Sequence, residues 1–203
     1  MFSIGSHLLQ VALAQLRPTQ MTVGFDEVDD KRKSWNKMGA KERRKAMNQE
    51  LFPVVKGPDK SYYILDHHHT ALALVHEKAQ SVQAGLVEDL SQLDHDAFWV
   101  FLDHHSWMHV YDAKGRRRQF ADMPRRFEDM RDDPYRSLAG AVRDAGGFAK
   151  PDEPFLEFLW ANHFRALVPS RLVKSDPKEA RRRALSLATA EEASHLPGWC
   201  GKR

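Results

Sequence analysis

Between Leu65 and Ala71 the chain changes its hydrophobic period. Upstream, Tyr62-Tyr63-Ile64-Leu65 is a β-rich run. Downstream, Thr70-Ala71-Leu72-Ala73-Leu74-Val75-His76-Glu77 consists of good helix formers with apolar residues on a recurring face. A strand that hands over directly to a helix fixes the local topology, and the junction reads Asp66-His67-His68-His69-Thr70. The first N–H groups of such a helix lack internal partners and the helix dipole adds partial positive charge, so phosphate or another anion is favoured there. Thr70 is the expected N-cap, which would set the three histidines around the anion. Imidazole titrates near neutral pH, so these rings can hold phosphate as cations, pass protons, or ligate a metal as neutral groups. The bland alternative has Asp66 and Thr70 capping the helix and the histidines merely packing; three histidines in succession favour function.

Around this junction the pattern predicts a small unit over residues 1–90. Val11–Leu16 reads as a first strand stopping at Arg17-Pro18, and Asp26–Gln49 as mostly helical with a break at Gly39. Phe52–Lys56 and Tyr62–Leu65 form a hairpin about Gly57-Pro58-Asp59-Lys60, Pro53 placing the first of them near a sheet edge; Val82–Glu88 is a further strand. Residues 91–203 read differently: a buried helix over Asp96–Leu102, short extended runs flanking Asp112-Ala113-Lys114-Gly115, a helix ending at Asp144-Ala145-Gly146-Gly147, an aromatic-rich helix over Pro154–Leu167, and a terminal helix carrying Arg181-Arg182-Arg183. No long Gly/Ser/Pro linker divides the two, so the expected fold is α+β: a small mixed sheet with helices, and a mostly helical C-terminal extension packed on it.

Composition narrows the class. Of 203 residues 42% are hydrophobic, enough for a core without disulfides, and the single cysteine, Cys200, can form no internal one. Lys plus Arg number 31 against 28 Asp plus Glu, a surplus too small to imply nucleic-acid binding by itself. The basic runs Arg116-Arg117-Arg118 and Arg125-Arg126 are interleaved with Glu128, Asp129, Asp132 and Asp133 and read as solvated surface. Phe155, Phe158, Trp160 and Phe164 fall at near-helical spacing and read as core, while the aromatic surplus after Phe98 is consistent with a homodimer face. No apolar run approaches the roughly 20 residues that span a bilayer. Met1–His7 lacks the basic start of a signal peptide, so a cytoplasmic protein with no membrane partner is expected.

Two further groups merit weighing. His105 and His109 would lie one turn apart if the helix over Asp96–Leu102 continued, a spacing that suits a metal, but Met108-His109-Val110-Tyr111 is strand-like and argues that the helix ends near Ser106. Arg17, Thr19 and Gln20 form a loop that could face the histidines or be a plain surface turn.

The order Val11-Ala12-Leu13, Leu16-Arg17-Pro18-Thr19-Gln20, Pro53-Val54-Val55 and Tyr63-Ile64-Leu65-Asp66-His67-His68-His69 resembles the ParB-like nuclease families of the ParB/sulfiredoxin superfamily. A narrower bacterial family of ParB-like nucleases is similar over nearly the whole chain, including Phe98-Trp99, Asp133-Pro134-Tyr135-Arg136-Ser137-Leu138-Ala139-Gly140 and His195-Leu196-Pro197-Gly198-Trp199-Cys200-Gly201. The resemblance implies a phosphate-bearing ligand, nucleotide or nucleic acid, and a nuclease or phosphotransferase. Asp66, His68 and His69 would be catalytic. His67, His68, His69, Thr70, Ala71, Arg17, Thr19 and Gln20 would bind the ligand. In the superfamily the junction commonly reads acidic residue, glycine, histidine, arginine; here His67 stands at the glycine and Thr70 at the arginine. Loss of that guanidinium removes paired contacts to a triphosphate. The loop cysteine of sulfiredoxin chemistry is absent. A divalent metal or a nucleotide is the cofactor this implies, and a metal would need Glu27 or Glu88 brought near Asp66. The alternative function is a non-catalytic nucleotide-sensing or DNA-associated regulatory module, although no helix-turn-helix signature follows the first unit.

Overall fold

The computed structural model describes residues 8–201; Met1–His7, on which the expectation about a signal peptide rests, lies outside them. In chain order the elements are β1 (Leu8–Ala12), β2 (Leu16–Arg17), β3 (Thr22–Val23), α1 (Phe25–Lys37), α2 (Ala40–Gln49), β4 (Leu51–Lys56), β5 (Tyr62–Ile64), α3 (His68–His76), β6 (Ser81–Asp89), α4 (His95–His104), β7 (Arg131–Asp132), α5 (Pro134–Asp144), α6 (Leu156–Leu167), α7 (Ser170–Ser175) and α8 (Pro177–Ala188). The class is α+β, as expected.

β1, β6, β4, β5 and β2 form one mixed sheet in that order. The run expected as a single first strand is two strands, because a 3-10 turn at Leu13–Gln15 breaks it; β1 pairs with β6 at one edge and β2 with β5 at the other. Four strand spacings would make a flat sheet about 19 Å wide. The four Cα steps from Ala12 to Leu16 reach at most about 14 Å, so the sheet must curl towards closure. The hairpin is present, with Val54 opposite Ile64 and Val55 opposite Tyr63. Pro53, however, lies in β4, the central strand, and not near an edge. Its carbonyl accepts the Leu65 N–H at 2.9 Å just past the end of β5, so the donor that proline lacks is missing only at the frayed end of the ladder.

Alternation along β4 and β5 divides the core. Val54 and Ile64 pack with Leu72, Ala71, Val23 and Val28 on the α3 and α1 face, whereas Val55 and Tyr63 pack with Phe98, Leu102 and Met108 on the α4 face. The aromatic-rich helix α6 buries Leu156, Trp160, Ala161 and Phe164 in a third cluster with residues of α5 and α8. The segment Thr19–Val23 ties these parts together: the His109 N–H bonds Thr19 O (2.8 Å), β3 pairs in parallel with β7, and the Asp133 N–H bonds Val23 O (2.8 Å). α1 packs against both α3 and α5.

Candidate functional site

The turn into α3 is made by His67, which adopts left-handed backbone (φ 66°, ψ 25°) and is the N-cap. A side-chain-bearing residue pays about 1–2 kcal/mol for that conformation, which glycine does not, and this explains why glycine suits the position. His67 is held there from three sides: its N–H donates to Asp66 Oδ1 (2.6 Å), its Nδ1 lies 3.2 Å from Glu50 Oε1, and its ring tilts against Phe52. Two expectations, on Thr70 and Ala71, are thereby corrected. Thr70 is not the cap; it sits three residues into the helix and donates its hydroxyl to Glu50 Oε1 at 3.0 Å. The Asp66 carboxylate accepts the His67 backbone N–H. The Ala71 N–H makes the first helical bond, to His67 O (2.8 Å), and is unavailable to a ligand.

His68 points inward and is 2% exposed. Its Nε2 accepts the Thr19 N–H (3.1 Å), which puts the ring proton on Nδ1, a buried atom with no partner. The Thr19 hydroxyl donates to Ile64 O (2.7 Å), so the first loop is clamped onto the β5–α3 junction. Burial, reinforced by His69, His67 and His109, pushes the His68 pKa well below its ordinary value. His69 is depressed likewise, by burial first and then by Arg136 and Lys31. Both rings are neutral at neutral pH, so of the roles open to them that of a phosphate-holding cation falls away.

The His69 ring closes a charge chain that the fold assembles from both halves of the sequence. Its Nε2 accepts the Gly24 N–H (3.1 Å) and lies 3.5 Å from Glu27 Oε2. The shorter contact and the depressed pKa assign a lone pair to Nε2, which leaves Glu27 Oε2 without a donor from this ring. Glu27 Oε1 accepts from Arg136 Nη1 at 2.7 Å. Arg136 continues to Glu157 at 3.9 Å, and Glu157 also pairs with Arg143. Burial pushes the Glu157 carboxyl up, but Arg136, Lys150 and Arg143 outweigh it and hold the group ionised. Arg136 Nε is buried and unpartnered. Lys31, exposed on α1, adds positive potential at both His69 and Glu50.

Of the two glutamates weighed from the sequence, Glu27 reaches the histidines, and Glu88 is exposed on β6. Thr19 meets His68 as the loop reading required; Gln20 is buried with Oε1 unpartnered, and Arg17 donates to the carbonyls of Ala14 and Leu16. His105 lies beyond the end of α4, stacked on Phe101 with Nδ1 2.8 Å from Phe101 O, while His109 is buried and stacked on Phe158, so the two share no helix face. Among the described residues no three His, Cys, Asp or Glu side chains are arranged to hold a metal ion.

Sequence reasoning missed Arg136, Glu157, Arg143 and Glu50. One signal existed: α5 buries every residue from Tyr135 to Gly140, so an arginine within that stretch had to be paired. Glu50 carried none, being one charge among many in a polar segment.

A family model described as "Putative ParB-like nuclease" matches residues 9–166. The crystal structure of protein Atu1540 from Agrobacterium tumefaciens is 43% identical, with a TM-score of 0.91, covering 97% of this chain and 98% of that one. The crystal structure of the C-terminally truncated chromosome-partitioning protein ParB from Caulobacter crescentus, complexed with CTP-gamma-S, is 13% identical with a TM-score of 0.34 over 92% of this chain and 94% of that one, a likeness too distant to carry argument. No curated protein matches the chain.

Proposed function

This chain belongs to the ParB-like nuclease family, and from that premise we propose that it is a cytoplasmic phosphodiester hydrolase acting on a nucleotide or nucleic acid beside the first turn of α3. The observation that carries the reading is the Glu27 carboxylate, one oxygen held by Arg136 and the other open beside a neutral His69. Asp66 and Glu50 already lie at the His67 end of the turn, so a phosphate is repelled there. It is accepted beside His69, where Arg136, Lys31 and Arg143 raise the positive potential. Glu27 takes the proton from the attacking water, the guanidinium of Arg136 fixes its orientation, His69, with its proton on Nδ1, donates a hydrogen bond to a phosphate oxygen, and the ester oxygen that leaves as the P–O bond breaks is protonated by solvent water. His68 contributes by clamping the Thr19 loop over the junction. Among the described residues the side chains around Glu27 and His69 include no set of three His, Cys, Asp or Glu arranged to hold a divalent ion.

The test is hydrolysis of bis(4-nitrophenyl) phosphate and of a labelled single-stranded oligonucleotide, with and without Mg²⁺ or Mn²⁺. Loss of a general base costs about 10²–10⁴ in rate, so Glu27→Gln should fall by that factor while the fold persists. Turnover equal in the parent, Glu27→Gln and His69→Asn would overturn the assignment. Oligonucleotide binding that is sensitive to these variants but lacks turnover would select the regulatory reading over the enzymatic one.

A further inference from the structure

A second site lies away from the histidine junction, in a cleft of about 730 Å³ between the turn at Ala113-Lys114, the start of α5, the end of α6 and α7. Its floor is Tyr135, Val168 and Val173, all buried. The polar groups of that floor are already satisfied, since the Tyr135 hydroxyl donates to Val168 O at 2.7 Å, so the surface it offers a ligand is apolar. Leu167, in the lining at the end of α6, is 51% exposed.

The charges of the cleft are unbalanced. Arg165 is committed to Asp133 and Asn162, yet its Nε is buried without a partner. Asp132 accepts the Phe25 N–H at 2.9 Å. Lys114 and Lys174 are both exposed, and no ion pair among the described residues engages either ammonium. A half-open cleft with an apolar floor, a volume within the usual range for small-molecule sites and two exposed, unpaired cations in its lining together fit a small ligand.

The geometry points to this cleft as a binding site for a small organic anion with an apolar body, its carboxylate, sulfonate or phosphate head between Lys114 and Lys174 and its body on Tyr135, Val168 and Val173. The site is independent of the reading given above, because none of its lining residues belongs to the Glu27–His69–Arg136 chain.

A matched pair of fluorescent probes tests it on the full chain: 8-anilinonaphthalene-1-sulfonate, and N-phenyl-1-naphthylamine, the same rings without the sulfonate. The anionic probe should bind saturably with one-to-one stoichiometry and more tightly than the neutral one. The double variant Lys114→Glu/Lys174→Glu should weaken the anionic probe by about tenfold or more, a change of about 1.4 kcal/mol, and leave the neutral probe unchanged. Leu167→Gln should weaken both, with the thermal midpoint recorded for every variant to show that the fold persists. Equal affinity for the two probes, absence of saturable binding, or anionic binding untouched by the double charge reversal would each overturn the proposal.

Discussion

Burial separates the roles of the three consecutive histidines: His67 shapes the turn, His68 locks the first loop, and His69 faces Glu27. Spacing alone could not reveal this, because consecutive residues entering a helix point in different directions. The junction and its helix were legible from the change of period, but the cap, the tautomers and the neutral state depend on which groups the fold brings from residues 19, 24 and 50. These states have a consequence for stability. His68 and His69 are depressed well below the ordinary value and His109 to about 3, in each case by burial first. Since the unfolded rings bind protons near pH 6.5, the unfolded chain takes up more protons below that point. The stabilisation is therefore intact above about pH 6.5 and is lost progressively as the pH falls towards the folded-state values, by at most about 1.4 kcal/mol per pH unit for each ring. Urea midpoints at pH 7.5, 6.0 and 5.0 should fall steeply, and less steeply in His109→Gln; a flat profile would refute the neutral assignments.

α1 and α5 approach closely only because glycine stands at the two contact points. A Cβ at Gly24 would lie 2.8 Å from the backbone N of Ser137, and one at Gly140 would collide with Glu27 Oε1. Backbone cannot yield cheaply, but a carboxylate can. Gly24→Ala should therefore destabilise the fold by forcing backbone apart, whereas Gly140→Ala should cost less, through the loosened Glu27–Arg136 pair alone, while lowering hydrolysis; equal thermal shifts in the two would contradict this. Arg136→Gln leaves Glu27 and Glu157 without their shared cation, and removing one partner of a buried pair costs about 3–5 kcal/mol, readable by denaturant titration. At this scale the sequence was most legible where a turn signal was local, as with Gly39 between α1 and α2 and the hairpin at Gly57–Lys60. It failed where tertiary closure decided, in the splitting of the first strand into two opposite sheet edges and in the central position of Pro53.

Across the whole molecule, hydrophobic clusters cross residue 90. Phe127 and Met130 complete the core under the sheet, while Val55, Tyr63 and Leu65 complete the one around α4. Unfolding should therefore be a single transition, with circular dichroism and tryptophan fluorescence midpoints coinciding, and limited proteolysis should release no stable fragment ending near residue 90. The same crossing explains why the functional chain was only half visible in the sequence: Glu27 and His69 lie in the first half, and Arg136, Arg143 and Glu157 in the second. The site they form is best tested through Lys31, an exposed residue whose loss leaves the core untouched. Calorimetric titration of a dodecathymidylate into the parent protein, Lys31→Glu and Lys174→Glu isolates it. The account predicts that Lys31→Glu weakens binding by about tenfold without lowering the melting temperature, and that Lys174→Glu, in the separate cleft, binds like the parent. Equal affinity in the parent and Lys31→Glu would contradict it.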